Sequence, residues 1–304
     1  MNLVRTFAVA AATTALSALA LLDTTTRAAA EVPAAGPKPT ALSRACGGER
    51  PQRPTGGRYE CTFEDNFDGS RLDTSKWLVQ ETAFSGMTSS NRDCYVNDPA
   101  NVSVGGGLVR LTARVEAAPF TCRSPYGDFT TTTTAATIGS YGRFTQTYGR
   151  FEFRARMPSA TTQGIHSALW LYPQKHTYGQ WPHSGEIDVA EWFSGHASHV
   201  YPSVHYKGEN VLESTGYDCA VPGASTQFHR YAVEWTPTVM RFFYDGQLCF
   251  QHSWTPDWPL SGSQPFDQPF YVVLSQAFGG AWNAVTADTP RSGTMVVDWV
   301  RVWR

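Results

Sequence analysis

Charge is the scarcest commodity in this chain. Of its 304 residues only 24 are Lys or Arg and 26 Asp or Glu, 16% where an ordinary soluble domain carries roughly 25%. The formal net charge is −2, so there is no basic stripe of the kind a nucleic-acid binder needs. Beyond the first 30 residues no apolar run is long enough to span a bilayer. The chain lacks C-x-x-C, G-x-S-x-G, a P-loop, H-E-x-x-H and a Gly-rich dinucleotide fingerprint. Serine-hydrolase, nucleotide and zincin chemistries therefore have no anchor.

Aromatic residues are abundant instead: 10 Trp, 13 Tyr and 17 Phe. Low charge with so many aromatic and β-branched residues excludes disorder and favours an all-β protein with a neutral partner. The dominant period is two. Phe151, Phe153 and Ala155 alternate with Glu152, Arg154 and Arg156, the pattern of a half-buried strand. Arg241 to Phe250 reads as two strands joined by Asp245-Gly246, a two-residue hairpin signal. Met295 to Trp303 is strand-like, and the threonine run Thr130 to Thr134 suits an exposed strand. Gly-rich turns recur throughout, so about 245 residues from Tyr59 to Arg304 predict one β-sandwich or barrel.

Residues 1–30 have the form of a secretory signal peptide. Arg5 supplies the positive start, Phe7 to Leu22 the apolar stretch, and Ala28-Ala29-Ala30 a small-residue cleavage site. Thr13, Thr14 and Ser17 dilute that stretch below what a membrane span requires, so the expected mature protein is secreted, with no membrane part. Residues 31–58, rich in Pro, Gly and Ala, read as a leader or linker, and residues 59–304 as the functional domain. Six cysteines without C-x-x-C suit an oxidising compartment. They allow 15 connectivities; sequential pairing, Cys46–Cys61, Cys94–Cys122 and Cys219–Cys249, closes loops of modest length. The first of these would staple the end of the leader to the domain.

The chemistry concentrates in Trp181-Pro182-His183-Ser184-Gly185-Glu186-Ile187-Asp188-Val189-Ala190-Glu191-Trp192, where three acids fall within six residues. On a strand Glu186 and Asp188 share one face while Ile187 and Val189 point to the core. Glu191, five residues after Glu186, falls on the wrong face unless one bulged residue restores the parity. Glu186 and Glu191 are then four steps apart, roughly 13 Å along the backbone at ~3.3 Å per residue. Two long side chains leaning together could approach the roughly 5 Å of a retaining glycosidase pair. Three carboxyl groups so close cannot all be charged, so one is kept protonated and able to act as an acid. The plainer readings are a solvated acidic strand or a cation site, and no other His or acid is evidently placed to complete the latter.

With these residues in hand the chain resembles glycoside hydrolase family 16, in particular its laminarinase-like endo-β-1,3-glucanase branch with the bulged E-x-D-x-x-E motif. The similarity extends to Phe63-Glu64-Asp65-Asn66-Phe67-Asp68-Gly69, Tyr148-Gly149-Arg150-Phe151-Glu152 and Phe228 to Pro237, and to Val297-Asp298-Trp299-Val300-Arg301-Val302. It implies a curved β-jelly-roll sandwich with a concave sugar-binding cleft. It implies a retaining double displacement in which Glu186 is the nucleophile, Asp188 assists and Glu191 is acid and base, with no cofactor. Trp170, Trp181, Trp282 and His205 match positions that line the sugar subsites, and aromatic faces suit pyranose rings. Asp298 matches the side-chain ligand of a structural Ca2+, and Asn66 and Gly107 its backbone-carbonyl ligands. Two departures leave fine specificity open: Asn91-Arg92-Asp93-Cys94-Tyr95 stands where many laminarinases have Asn-Glu-x-Gln-Tyr-Tyr, and Gly164-Ile165-His166-Ser167 replaces a usual Trp-Pro entry. The expected partner is a β-glucan polysaccharide acted on by a monomer. The alternatives are a transglycosylase on the same fold or a non-catalytic glycan-binding β-sandwich, which would have no need of all three acids.

Overall fold

The computed structural model describes residues 45–215 and 217–304. The expected signal peptide and the first part of the leader lie outside the described residues. Among the described residues no helix is long and apolar enough to cross a membrane.

The described residues form sixteen strands, beginning with β1 (Cys61–Asp65), β2 (Leu78–Val79), β3 (Cys94–Tyr95), β4 (Val102–Val104) and β5 (Val109–Cys122). Next come β6 (Phe129–Gly139), β7 (Gly149–Arg156), β8 (Ile165–Pro173), β9 (Glu186–Phe193), β10 (His199–His205) and β11 (Cys219–Ala220). The last five are β12 (His229–Trp235), β13 (Met240–Tyr244), β14 (Gln247–His252), β15 (Phe270–Phe278) and β16 (Ser292–Trp303). The strands pair in the order β11-β10-β9-β8-β15-β6-β5-β16-β7-β12-β13-β14, a curved jelly-roll whose two layers are joined through β6.

β6 explains a deviation from the sequence reading. Its first half pairs with β5 in one layer, through Thr130, Thr131, Thr133 and Thr134, and Ala136–Gly139 pair with β15 in the other. Thr130 and Thr132 are exposed as expected, but Thr133 and Thr134 are buried where the strand passes between layers.

The core lies between the layers. Phe151, Phe153 and Ala155 of β7, Tyr231 and Val233 of β12 and Val300 and Val302 of β16 meet Leu169, Leu171, Ile187, Val189, Val272 and Leu274 of β8, β9 and β15. The alternation read along β7 holds with one exception: Glu152 is buried too, held by Arg150 at 2.8 Å and Arg230 at 3.6 Å. The Asp245-Gly246 turn joins β13 to β14, both residues at positive φ (48° and 79°) as a tight hairpin requires.

All three disulfides pair sequentially: Cys46–Cys61, Cys94–Cys122 and Cys219–Cys249. The first draws residues 45–58, the end of the expected leader, onto the domain. Cys46 and Tyr59 pack on Trp303, and Glu49 pairs with Arg230 at 2.9 Å and Arg301 at 3.3 Å.

Candidate active site

The acidic strand is β9, and it carries the bulge that parity requires. Against β8, Leu169 opposes Ala190 and Trp170 opposes Asp188, so Val189 is the extra residue. Against β10, Glu191, Asp188 and Glu186 stand opposite Tyr201, Ser203 and His205, alternate residues of a regular strand. All three acids therefore share one face of the strand, opposite the core-facing Ile187. The bulge is tied down from the core, where the buried Tyr244 hydroxyl donates to the Val189 carbonyl at 3.1 Å. That bond satisfies a backbone group the ladder leaves free.

Asp188, in the middle, is 5% exposed, and its Oδ2 finds no hydrogen-bond partner among the described residues. Burial, and then the charges of Glu186, Glu191 and Glu209, push its carboxyl well above the ordinary range, which favours its protonated form. Glu186 is pushed up to about 7, first by burial and then by Glu191 and Glu209, against the pull of His205 and a Trp181 hydrogen bond. Glu191 goes the other way. Burial alone would raise it, but the His166 hydrogen bond and charge, with His205 and Ser203, outweigh burial and hold it below the ordinary value.

His205 sits between acids, with Nε2 at 3.5 Å from Asp188 Oδ2 and Nδ1 at 3.2 Å from Glu209 Oε1. Burial would lower it, yet the Glu209 hydrogen bond and the charges of Glu186, Glu209 and Glu191 raise it overall. One donor atom each of Glu186, Asp188 and His205 lies within 4.8 Å of the others. That spacing would suit a cation or a shared proton.

Aromatic groups wall this row. Trp170 donates its indole N–H to Ser275 Oγ at 2.9 Å and meets Tyr172 edge-on at 5.5 Å. Trp181 lies 5.7 Å from the His205 ring. Trp282, 45% exposed, is reached through Phe193 (4.9 Å) and Tyr201 (6.1 Å) at the Glu191 end. Its neighbour Asn283 is fully buried and pins the segment: Oδ1 accepts from Gly164 and Gly195 N–H, and Nδ2 donates to Ile165 O. The loop holding Asn91 and Asp93 closes against the same segment, because Asp93 Oδ2 accepts from Ser89 Oγ and from the Phe278 N–H, each at 2.7 Å. A Cβ on Gly280 would come within 2.7 Å of Ser90, so only glycine permits this approach.

The structure thus brings Glu186, Asp188, Glu191, Trp170, Trp181 and His205 together and sets Trp282 on the same face. The expected calcium ligands lie away from the acidic row, on β16 and on the segments beside β1 and β5. A Cβ on Gly107 would stand 4.0 Å from the Asn66 carbonyl, so those two are neighbours. Asp298, the one anionic member, is ion-paired with Arg154. A hard dication needs six or more oxygens with negative charge among them. Asp298 would have to give up Arg154 to bind calcium.

Sequence reasoning passed over several groups that complete the site. His166 Nε2 is 3.1 Å from Glu191 Oε1, and its ring stacks on Phe193 at 4.6 Å and 9°. Ser203 Oγ donates to Glu191 Oε2 at 3.4 Å, and Glu209 anchors His205. For His166 a signal existed: it stands in the segment that departs from the Trp-Pro pattern. Ser203 is visible only through strand register, and Glu209 only through the turn that follows β10.

An all-β sandwich with a row of carboxyl groups on a bulged strand, beneath indole walls, defines a glycoside hydrolase. Comparison gives the particular kind: the model of "Glycosyl hydrolases family 16" matches residues 87–301, and the chain belongs to that family. A β-glucanase of Rhodothermus marinus is 36% identical over 260 residues, 81% of this chain and 85% of that protein. Glucan endo-1,3-beta-glucosidase A1 of Niallia circulans is 31% identical over 80% of this chain, which spans 37% of that protein. The X-ray structure of the Rhodothermus marinus laminarinase superposes with a TM-score of 0.68 at 34% identity, covering 81% of this chain and 97% of that one.

Proposed function

We propose that the chain is an endo-acting β-glucanase that hydrolyses internal β-1,3 or mixed β-1,3/1,4 bonds of glucans with retention of configuration. The observation that carries this is the bulge at Val189, which places Glu186, Asp188 and Glu191 in one row on one face of the strand. The names of its relatives support the same substrate class. We place the protein outside the cytoplasm as a monomer; the signal-like residues 1–30 and three disulfides support export.

In the first step the Glu186 carboxylate attacks the anomeric carbon, the glycosidic C–O bond breaks, and Glu191 gives its proton to the departing oxygen. In the second, Glu191 takes a proton from water, the water oxygen attacks the same carbon, and Glu186 leaves as carboxylate. Neutral Asp188 supplies a hydrogen-bond donor to Glu186 while that group carries charge. Trp170, Trp181 and Trp282 give the sugar rings apolar faces, and His205 holds Asp188 and balances the row's negative charge.

The shifts of the free site run against this step, since burial raises Glu186 to about 7 while the His166 bond holds Glu191 below its ordinary value. The carboxyls titrate as one unit, so a small preference decides which of them carries the proton. His166, 3.1 Å from Glu191, is foremost among the groups that bias it, with His205 and Ser203 beside it. Reactive molecules are those in which the proton has moved to Glu191.

Release of reducing sugar from laminarin, lichenan and a 1,4-linked glucan tests the proposal. Wild type is expected to cleave the first or the second and Glu186→Ser neither. Binding without turnover on every glucan would overturn it.

A further inference from the structure

Where β9 ends, the chain makes a single helical turn, Ser194–His196, and returns as β10 at His199. The two histidines at the ends of this connection stack face to face, their ring centroids 3.7 Å apart and 24° from parallel. Asp218 approaches from the neighbouring segment. Its position is set on one side by β11, whose Cys219 and Ala220 pair with Val200 and His199, and by the Cys219–Cys249 disulfide one residue away. Asp218 Oδ2 stands 3.6 Å from His196 Nδ1 and 4.0 Å from His199 Nε2.

One donor atom from each of the three residues lies within 4.8 Å of the others. Donors about 2.0–2.2 Å from a central ion are separated by a little over 3 Å, so small side-chain rotations would close this triangle. Two imidazole nitrogens and one carboxylate oxygen are the ligands of a borderline divalent cation, whereas Mg2+ and Ca2+ prefer oxygen alone. The side chains are 41%, 28% and 39% exposed in the order His196, His199, Asp218, so an ion can enter and water can complete its shell.

We propose that His196, His199 and Asp218 form a binding site for a zinc-like divalent cation, with water as the fourth ligand. The site stands apart from the acidic row. His196 Nδ1 is 2.5 Å from the Tyr201 hydroxyl, and the Tyr201 ring packs on Trp282 and Phe193. The ion takes the place of that hydroxyl on Nδ1 and sits behind the aromatic wall at the Glu191 end, with a stabilising role.

The test is Zn2+ titration of the untagged, chelator-treated full-length protein by calorimetry, with thermal melts beside it. The expected result is one Zn2+ per chain and a melting temperature raised by roughly 5 °C or more at Zn2+ a hundredfold above Kd, with no rise from Mg2+. His199→Ala and Asp218→Asn should lose binding while melting in chelator within about 2 °C of wild type, as partly exposed positions do. Glu186→Ser should keep it. Absence of stoichiometric binding, equal binding by both site variants, or binding lost in Glu186→Ser and kept in His199→Ala would each overturn the proposal. Should either site variant fail to fold, His196→Gln serves in its place.

Discussion

Replacing His166 by Phe removes the foremost of the contacts that hold Glu191 below its ordinary value. The phenyl ring can keep the stack on Phe193, while the bond from Nε2 to Glu191 Oε1 at 3.1 Å is deleted. A hydrogen bond to a charged group contributes about 1.5–3 kcal/mol. The two side chains are 24% and 21% exposed, so water screens part of that, and the lower end applies. About 1.5 kcal/mol corresponds to roughly one pH unit, so the Glu191 pKa should rise by about that much. In wild type the acid limb of the kcat/KM profile reports the first proton lost by the Glu186–Glu191 pair, which Glu191 dominates from below its ordinary value. The alkaline limb reports the second, set by Glu186 at about 7, so activity holds on the acid side and falls as pH rises through about 7. The assay is reducing-sugar release from laminarin across pH. In His166→Phe the acid limb moves up by roughly one unit while the alkaline limb stays near 7. An acid limb that does not move, or moves down, would refute the reasoning.

Other consequences are as direct. Trp282→Ala should raise KM for laminarin by about tenfold, the loss of one aromatic stacking contact of ~1–1.5 kcal/mol, with little change in kcat or melting temperature because the ring is 45% exposed. Replacing Cys46 and Cys61 together by Ser opens a loop of 15 residues and should cost about 3 kcal/mol, read as a melting temperature lower by roughly 6–12 °C. Calcium and chelator should leave the melting temperature unchanged, because Asp298 is committed to Arg154; a rise with calcium would show that Asp298 exchanges that partner for the ion.

What could be read in the sequence, and what could not, divides along the range of the interaction. The bulge was legible because parity along a single strand is local: Glu186, Asp188 and Glu191 cannot share a face without an extra residue between them. The disulfides followed from short loop closures, and the Asp245-Gly246 turn from two residues that tolerate positive φ. His166 lies 25 residues from Glu191, and Asn283 lies 119 from Gly164; such contacts exist only once β8, β9 and β15 are in register. Burial of Thr133 and Thr134 was hidden because the Thr run has no internal mark of where β6 leaves one layer for the other. The pairing of Asp298 with Arg154 was hidden likewise, since both follow strand patterns that say nothing of which charges meet across strands.

The central claim is that Glu186 is the nucleophile and Glu191 the proton donor. A mechanism-based 2-deoxy-2-fluoro-β-laminaribiosyl fluoride traps the covalent intermediate, and peptide mapping by mass spectrometry locates the sugar. The account predicts a stoichiometric adduct on Glu186. An adduct on Glu191, or turnover with inversion at the anomeric carbon and no adduct, would contradict it.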